Sequence, residues 1–321
     1  MWTQYFVDCI EGSTFDQPRF AEALSIKEQH LPKRIYKYRR DCSCSRQNLE
    51  TDTVWLSSPD SYNDPYDCWF RFSEDDLLVD RERKLVDTLV TGGKLQGVVP
   101  ADQVENAKRS HKPLGKLAGY IPGSSSTGGN LKQTVVALST RTSGIVKDTN
   151  SKIQQWRKLT KVCSFSEIND SLLMWGHYAD NHRGFCLEYI LDGLRPDHQL
   201  RERLYPVIYT NQIYDLTRWT LTLADPDPGK FNTEIPILCV IHKCDEWKYE
   251  KEWRMVQVTS TEEPDQNCLV PPPARVFLGS KMEAASVKEL RAICSYKGVE
   301  VWQMRLAEDR FELLPEHLDP L

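Results

Sequence analysis

Apolar positions recur along much of the chain with periods that identify elements of secondary structure. Pro18 to His30 places Phe20 and Leu24, with Ala21 and Ala23, on a helical repeat that Pro32 ends. Arg34-Ile35-Tyr36-Lys37-Tyr38-Arg39 alternates apolar or aromatic residues with basic ones, the period of a strand with one buried face. Val54 to Ser58 predicts a second short strand, stopped by Pro59 and followed by the turn Ser61-Tyr62-Asn63-Asp64-Pro65-Tyr66-Asp67. From Ser73 to Val90 the repeat is helical again. Ser73 can cap, Glu74, Asp75 and Asp76 fill the first turn, Leu77, Leu78, Leu85, Val86 and Leu89 form the stripe, and Gly92-Gly93 ends it.

Between Thr91 and Lys161 glycines and prolines keep interrupting the period, so residues 74–160 are expected to form a partly helical insertion with a mobile loop at Ser124-Ser125-Ser126-Thr127-Gly128-Gly129. Pattern returns with a strand at Lys161 to Ser166, a helix at Asp170 to Asn181 and a strand at Phe185 to Ile190. Further on come a strand at Tyr205 to Thr210, a helix at Glu234 to Lys243, and strands at Trp247 to Thr259 and Ala274 to Leu278. A helix at Glu283 to Cys294 and a strand at Val299 to Leu306 close the series. Strands and helices mix without regular alternation, which predicts one α+β domain over residues 1–321 rather than a doubly wound sheet.

Composition narrows the class. Hydrophobic residues at 40% and charged residues at 27% are those of an ordinary globular chain. No stretch approaches the roughly 18 consecutive apolar residues of a membrane helix, and the start lacks a basic region followed by an apolar one, so a soluble, cytoplasmic protein without a membrane partner is expected. Ten irregularly spaced cysteines then read as reduced thiols, and no zinc-knuckle spacing occurs, so no metal is expected. A net charge of −5 argues against a uniformly basic nucleic-acid surface but leaves a local basic groove open.

Candidate chemistry lies in a few short segments, each with a plainer alternative. His177 and His182 are five apart and fall on different sides of a helix, so they are not a metal pair; His177 is either a packed residue or a substrate contact. Asn63-Asp64-Pro65 is a turn in its own right, yet Tyr62 and Tyr66 flank it and could wall a pocket for a flat ligand. Glu250 and Glu252 sit two apart on an expected strand, opposite Trp253 and Met255, and form either a solvated face or a site with perturbed acidity. Phosphate loops of the Walker and dinucleotide-fold types, His-Glu-x-x-His and Gly-x-Ser-x-Gly are absent.

Taken in order, Ile35 to Arg39, Trp55 to Asp67, Cys163 to Glu167, Leu173 to Phe185 and Tyr249 to Arg254 resemble the bacterial domain-of-unknown-function family twenty-nine seventy-one, over roughly residues 31 to 306. A second resemblance is to the ADP-ribosyltransferase fold, whose sites join an early Arg or His, a central Ser-Thr-Ser-like strand and a late Glu-x-Glu. Arg39, Ser164 to Ser166 and Glu250-Lys251-Glu252 occur here in that order, with Phe165 in place of the threonine.

That resemblance implies a split mixed or antiparallel sheet and NAD as substrate. Arg39 would hold the NAD phosphates or ribose, with Lys37 and Arg40 as rivals, and Ser164 and Ser166 would brace the nicotinamide half. Glu252 would hold the nicotinamide ribose, and Glu250 would orient the acceptor. Tyr36, Tyr38 or Tyr62 could stack on a ring, and an alternative alignment gives that part to Tyr178. The implied activity is ADP-ribosyl transfer to a protein, RNA or DNA, in a toxin or anti-phage effector with an antitoxin or other regulatory protein as partner. NAD glycohydrolysis and non-catalytic sensing of a nucleotide or phage component stay open.

Overall fold

A computed structural model describes residues 1–11, 16–123, 126–217, 232 and 234–319. Two helices, α1 (Trp2–Ile10) and α2 (Gln17–His30), lead into the sheet. Asp16 caps α2 by accepting from the backbone N–H of Arg19 at 3.1 Å, and Pro18 sits in the first turn, where its missing N–H has no partner to lose. The buried face of α2 runs through Ala23 and Lys27, with Phe20 half-buried beside it.

Next come β1 (Arg34–Arg39), α3 (Ser43–Glu50), β2 (Thr53–Leu56), a 3-10 turn at Pro59–Ser61 and the short β3 (Phe70–Arg71). Four helices follow: α4 (Glu74–Thr91), α5 (Ala101–Lys108), α6 (Pro113–Tyr120) and α7 (Ser126–Leu159). They share a core of their own that includes Val86, Leu114, Leu117 and Val135. The buried Glu82 ties them together, accepting from the N–H of Leu114 at 3.0 Å and from the Ser139 hydroxyl at 2.5 Å.

The helical content here exceeds what periodicity showed. Gly92, Pro100 and Pro113 mark helix ends, as their chemistry directs, but Gly129 and Gly144 lie inside α7. A glycine weakens a helix by only about 1 kcal/mol, which packing along a helix of 34 residues outweighs. Ser126 to Gly129 are therefore helix rather than the expected loop, and Ser124 and Ser125 lie outside the described residues.

The second half contributes β4 (Thr160–Ser166), α8 (Leu172–Tyr178), β5 (Phe185–Ile190), α9 (Gln199–Glu202), β6 (Leu204–Pro206), β7 (Ile208–Tyr209) and β8 (Tyr214–Asp215). Then come α10 (Ile235–Ile241), β9 (His242–Lys243), β10 (Glu252–Val258), β11 (Gln266–Leu269), β12 (Arg275–Leu278), α11 (Ala284–Lys297), β13 (Glu300–Leu306) and β14 (Leu313–Leu318). The main sheet runs β14-β13-β12-β5-β1-β4-β10-β6, antiparallel throughout except for the parallel pair β12 and β13. This is an α+β protein. Among the described residues, no helix is long and apolar enough to cross a membrane.

Both faces of the central strands are covered, so β4, β5 and β10 read as nearly continuous buried runs. On one face Ile35, Phe165, Leu187, Trp253 and Met255 pack with Leu290 and Cys294 of α11. On the other, Val162 and Val256 meet α1 and α10, while Tyr38, Cys186 and Phe277 meet Trp175 of α8.

Two segments depart from the sequence pattern. The expected strand at Trp247 to Thr259 begins only at Glu252, because Asp245–Glu250 forms a 3-10 turn and Lys251 takes a left-handed conformation at φ 46°. Glu250 and Glu252 thus come together around a chain reversal and not by strand alternation.

The expected helix at Asp170 to Asn181 ends at Tyr178, and Asp180, Asn181 and His182 follow with φ of 47°, 53° and 68°. Asn, Asp and His tolerate that region better than other non-glycine residues. Three bonds clamp the reversal: His182 N–H to the Trp175 carbonyl at 3.1 Å, Gly184 N–H to the Ala179 carbonyl at 2.8 Å and Lys281 N–H to the His182 carbonyl at 2.9 Å. Gly184 has no room for a side chain, since a Cβ there would stand 2.1 Å from the Arg39 carbonyl oxygen. The Ala179-Asp180-Asn181-His182-Arg183-Gly184 motif is thereby explained as a turn.

Candidate functional site

Strand β1 pairs with β5 along its whole length and β4 pairs with β10 from end to end, but β1 and β4 share only the pair Tyr36 and Ser166. Beyond that pair the two strands part, and a cavity of about 260 Å3 occupies the gap. One register row crosses its end, with Glu252 opposite Ser166 and Ser166 opposite Tyr36. Eleven of the residues singled out in the sequence line this cavity: Tyr36, Lys37, Tyr38 and Arg39 from β1, Tyr62 and Asn63 from the turn, Ser164 and Ser166 from β4, Tyr178 from α8, and Glu250 with Glu252. His177 does not; it is exposed on α8, its ring 6.4 Å from that of Trp247.

The two glutamates belong to a buried ionic cluster. Glu252 accepts from Arg254 Nε at 2.8 Å, from Arg254 Nη2 at 3.1 Å and from Lys243 Nζ at 2.8 Å. Arg254 is fully buried and also donates to Asp67 at 2.7 Å and to the Val240 carbonyl. Lys243 joins Glu250 as well, and the Tyr178 hydroxyl donates to the other Glu250 oxygen at 2.6 Å.

Three carboxylates therefore surround two cations. Burial works against ionisation of Glu252, but Arg254 and Lys243 overcome it and hold its carboxyl below the usual range. Burial dominates at Glu250, with the Glu252 charge adding to it, and pushes that carboxyl up despite Lys243. Lys243 stays charged because its carboxylate neighbours outweigh its desolvation. The two glutamates thus differ: Arg254 and Lys243 favour the ionised form of Glu252, while burial raises the pKa of Glu250.

On the opposite side both basic candidates from β1 reach the cavity, while Arg40 is exposed and does not line it. Lys37 donates to the Ser164 carbonyl at 2.6 Å, and desolvation lowers its basicity. Arg39 donates to Asn48 of α3 at 3.1 Å, and its Nε is buried without a protein partner. Ser166 braces the backbone: its hydroxyl donates to the Glu250 carbonyl at 2.6 Å and accepts from the N–H of Ile168 at 3.2 Å. Tyr38 is tied to the Ile168 carbonyl at 2.9 Å, and Tyr62 lies under the Arg254 guanidinium, 5.8 Å from its ring centre.

Lys243 and Asp67 were not singled out as site residues in the sequence, nor were Trp55 and Ser57 of the cavity wall, and Arg254 stood only within the segment Tyr249 to Arg254, without a role of its own. A lysine at the end of an apolar helix and an aspartate in a turn carry no motif of their own. The available signal was Arg254 on the same face of a strand as Glu252, inside a segment whose other face is core. Among the described residues, no group of three or more His, Cys, Asp and Glu side chains is arranged to hold a metal.

Residues 174–255 match the family described as "Protein of unknown function (DUF2971)". The DUF2971 stretch is narrower than the likeness read in the sequence; it runs from α8 to β10 and supplies Tyr178, Lys243, Glu250, Glu252 and Arg254, whereas Lys37, Arg39, Ser164 and Ser166 precede it. Neither a curated protein nor a solved structure matches the chain.

Proposed function

We propose that this protein is an ADP-ribosyltransferase-like enzyme that cleaves NAD and passes ADP-ribose to a macromolecule. One observation carries the reading: basic residues of β1, serines of β4 and the paired glutamates beside β10 come from adjacent strands and open on one cavity. Cleaving the bond between nicotinamide and ribose sends the bonding pair to nicotinamide and leaves positive charge on the ribose C1′ and ring oxygen. A buried carboxylate beside C1′ steadies that charge. The acceptor attacks C1′ as that bond breaks and gives its proton to a neighbouring carboxylate, so proton transfer and nicotinamide release share one barrier.

Glu250 suits the proton transfer better than Glu252. Burial raises its pKa above the ordinary carboxylate value, which makes it the stronger base of the two, while three donors already engage Glu252. In this reading Glu252 is a positioning residue that fixes Lys243 and Arg254. Lys37 and Arg39 supply charge for a phosphate. The volume of about 260 Å3 suits one ring with its ribose, so the rest of the dinucleotide lies outside the enclosed space.

Incubation of the purified protein with NAD and cell extract, followed by assay of free nicotinamide, tests the proposal. Release by wild type and its loss in Glu250→Gln support it; no release by wild type sinks it. Free ADP-ribose without a labelled macromolecule would mean hydrolysis instead of transfer. A binding-only module is the second reading, favoured by the fact that both oxygens of Glu250 already carry a donor. Under it, NAD binds without nicotinamide release.

A further inference from the structure

We infer that a second cavity, beside the first, binds a nucleobase belonging to a separate acceptor molecule. This cavity measures about 670 Å3, shares Asn63 and Lys243 with the first, and is walled by Tyr66, Trp69, Tyr214 and Trp247. The role as acceptor site rests on the NAD reading; the binding of a base does not.

Large rings stand open to water here on a braced turn. Tyr66 is 64% exposed and Trp69 45%, while Asp67 and Cys68 between them are buried. The Tyr66 N–H donates to the Asp64 carboxylate at 2.8 Å, the Asp67 N–H to the Asp64 carbonyl at 3.1 Å, and Arg254 holds the Asp67 side chain. The rings are therefore held outward by structure and not left there by a slack loop. Exposed aromatic surface rimming a cavity of this size is a platform for a flat ligand.

Charge and polarity select the kind of ring. Asn63, Asn211 and Gln212 line the cavity and offer amide donors and acceptors, as the edge of a base requires. Lys243 is engaged with carboxylates, Glu246 and Asp64 add negative charge, and burial disfavours the charged form of His242, so no unengaged cation among the lining residues faces a phosphate. A cationic guest is disfavoured too. Lys243 already lies 5.1 Å from the Trp247 ring centre, and Arg157 lies 5.4 Å from that of Trp69. A neutral heteroaromatic ring fits both constraints.

The adenine end of the same NAD is a poorer occupant. Lys37 and Arg39, the cations available to phosphate, line only the first cavity, and the wall between the two belongs to a cluster of three carboxylates and two cations. A pyrophosphate crossing that wall would meet net negative charge. A separate base, held by stacking and reaching past Lys243 towards Glu250, would not.

Titration by calorimetry and saturation-transfer NMR tests the inference, using the four ribonucleosides, a mixed trinucleotide, NAD and N-acetyl-arginine amide. At least one nucleoside should bind wild type, and Trp69→Ala should weaken it about tenfold or more, the scale of one lost stacking ring. Trp55→Ala, in the first cavity, should leave it within about twofold. Tighter binding of the trinucleotide than of its nucleosides assigns the base to nucleic acid, and equal binding assigns it to a free nucleotide. No nucleoside binding, binding of the arginine amide alone, displacement of the nucleoside by NAD, or unchanged affinity in a folded Trp69→Ala overturns it. Base binding without nicotinamide release would sink the NAD reading and leave this site standing.

Discussion

Replacing Arg254 by Met removes the guanidinium that neutralises the buried cluster and leaves three carboxylates facing Lys243 alone. Arg254 is 0% exposed and donates to Glu252, Asp67 and the Val240 carbonyl, so water cannot take its place without opening the core between β10 and α10. Removing one partner of a buried charge network costs about 3–5 kcal/mol, mostly because the other partner stays buried and unpaired. For a chain of this length the unfolding entropy is about 0.7 kcal/mol/K, which converts the loss to a melting point about 4–7 °C lower. Calorimetry and urea titration at pH 7 give both figures. The double variant Arg254→Met/Glu252→Gln should recover part of the loss by deleting an orphaned charge. The sign with pH follows: Glu252 is ionised below its usual range only because of Arg254 and Lys243, so the stability it contributes is present above about pH 4.5 and lost as pH falls. The gap between wild type and variant should therefore narrow in acid. A loss under about 1 kcal/mol, or a gap that widens in acid, would refute the claim that Glu252 is locked into the framework.

Lys27 is buried under Tyr205, its ammonium donating to the Arg201 and Glu202 carbonyls, and burial lowers its pKa from 10.5 to about 8. That fall is worth about 3 kcal/mol, a cost present below pH 8 and gone above 10.5, so wild type should gain up to that amount relative to Lys27→Met between those limits; a constant difference in urea titrations would contradict it. Gly184→Ala drives a Cβ against the Arg39 carbonyl and should cost about 2 kcal/mol or more, with a lower melting point, whereas a change under about 0.5 kcal/mol would mean the turn is slack. Burial holds the Glu250 carboxyl above 4.5, so the acid limb of kcat/KM for NAD should lie above that pH and vanish in the residual activity of Glu250→Gln; a limb at or below 4.5 would point to another base.

How far the sequence disclosed the site depended on range. Elements whose signal is local were legible: Ser73 caps α4 as its position before three acids required, β1 and β5 have the bounds read for them in the sequence, and Trp253 is core. Where tertiary packing overrides local preference the reading failed, as in the glycines within α7 and the left-handed Lys251 that turns a supposed strand into a 3-10 turn and a strand. The site was half legible for the same reason. Residues on β1, β4 and β10 could be named from their order along the chain, but that β1 and β4 part after Tyr36, or that Lys243 and Asp67 close around the glutamates, depends on contacts between segments distant in sequence. The weight moves accordingly from Glu252, engaged by three donors, to Glu250.

In the proposed NAD cleavage Glu250 is the working carboxylate. Single-turnover release of nicotinamide by wild type and Glu250→Gln, each checked for an unchanged melting point, measures this directly. The account predicts release by wild type and a rate at least about 100-fold lower in the variant, the scale of a lost proton-transfer group. Equal rates in two folded proteins, or no release by wild type in the presence of acceptor, would contradict it.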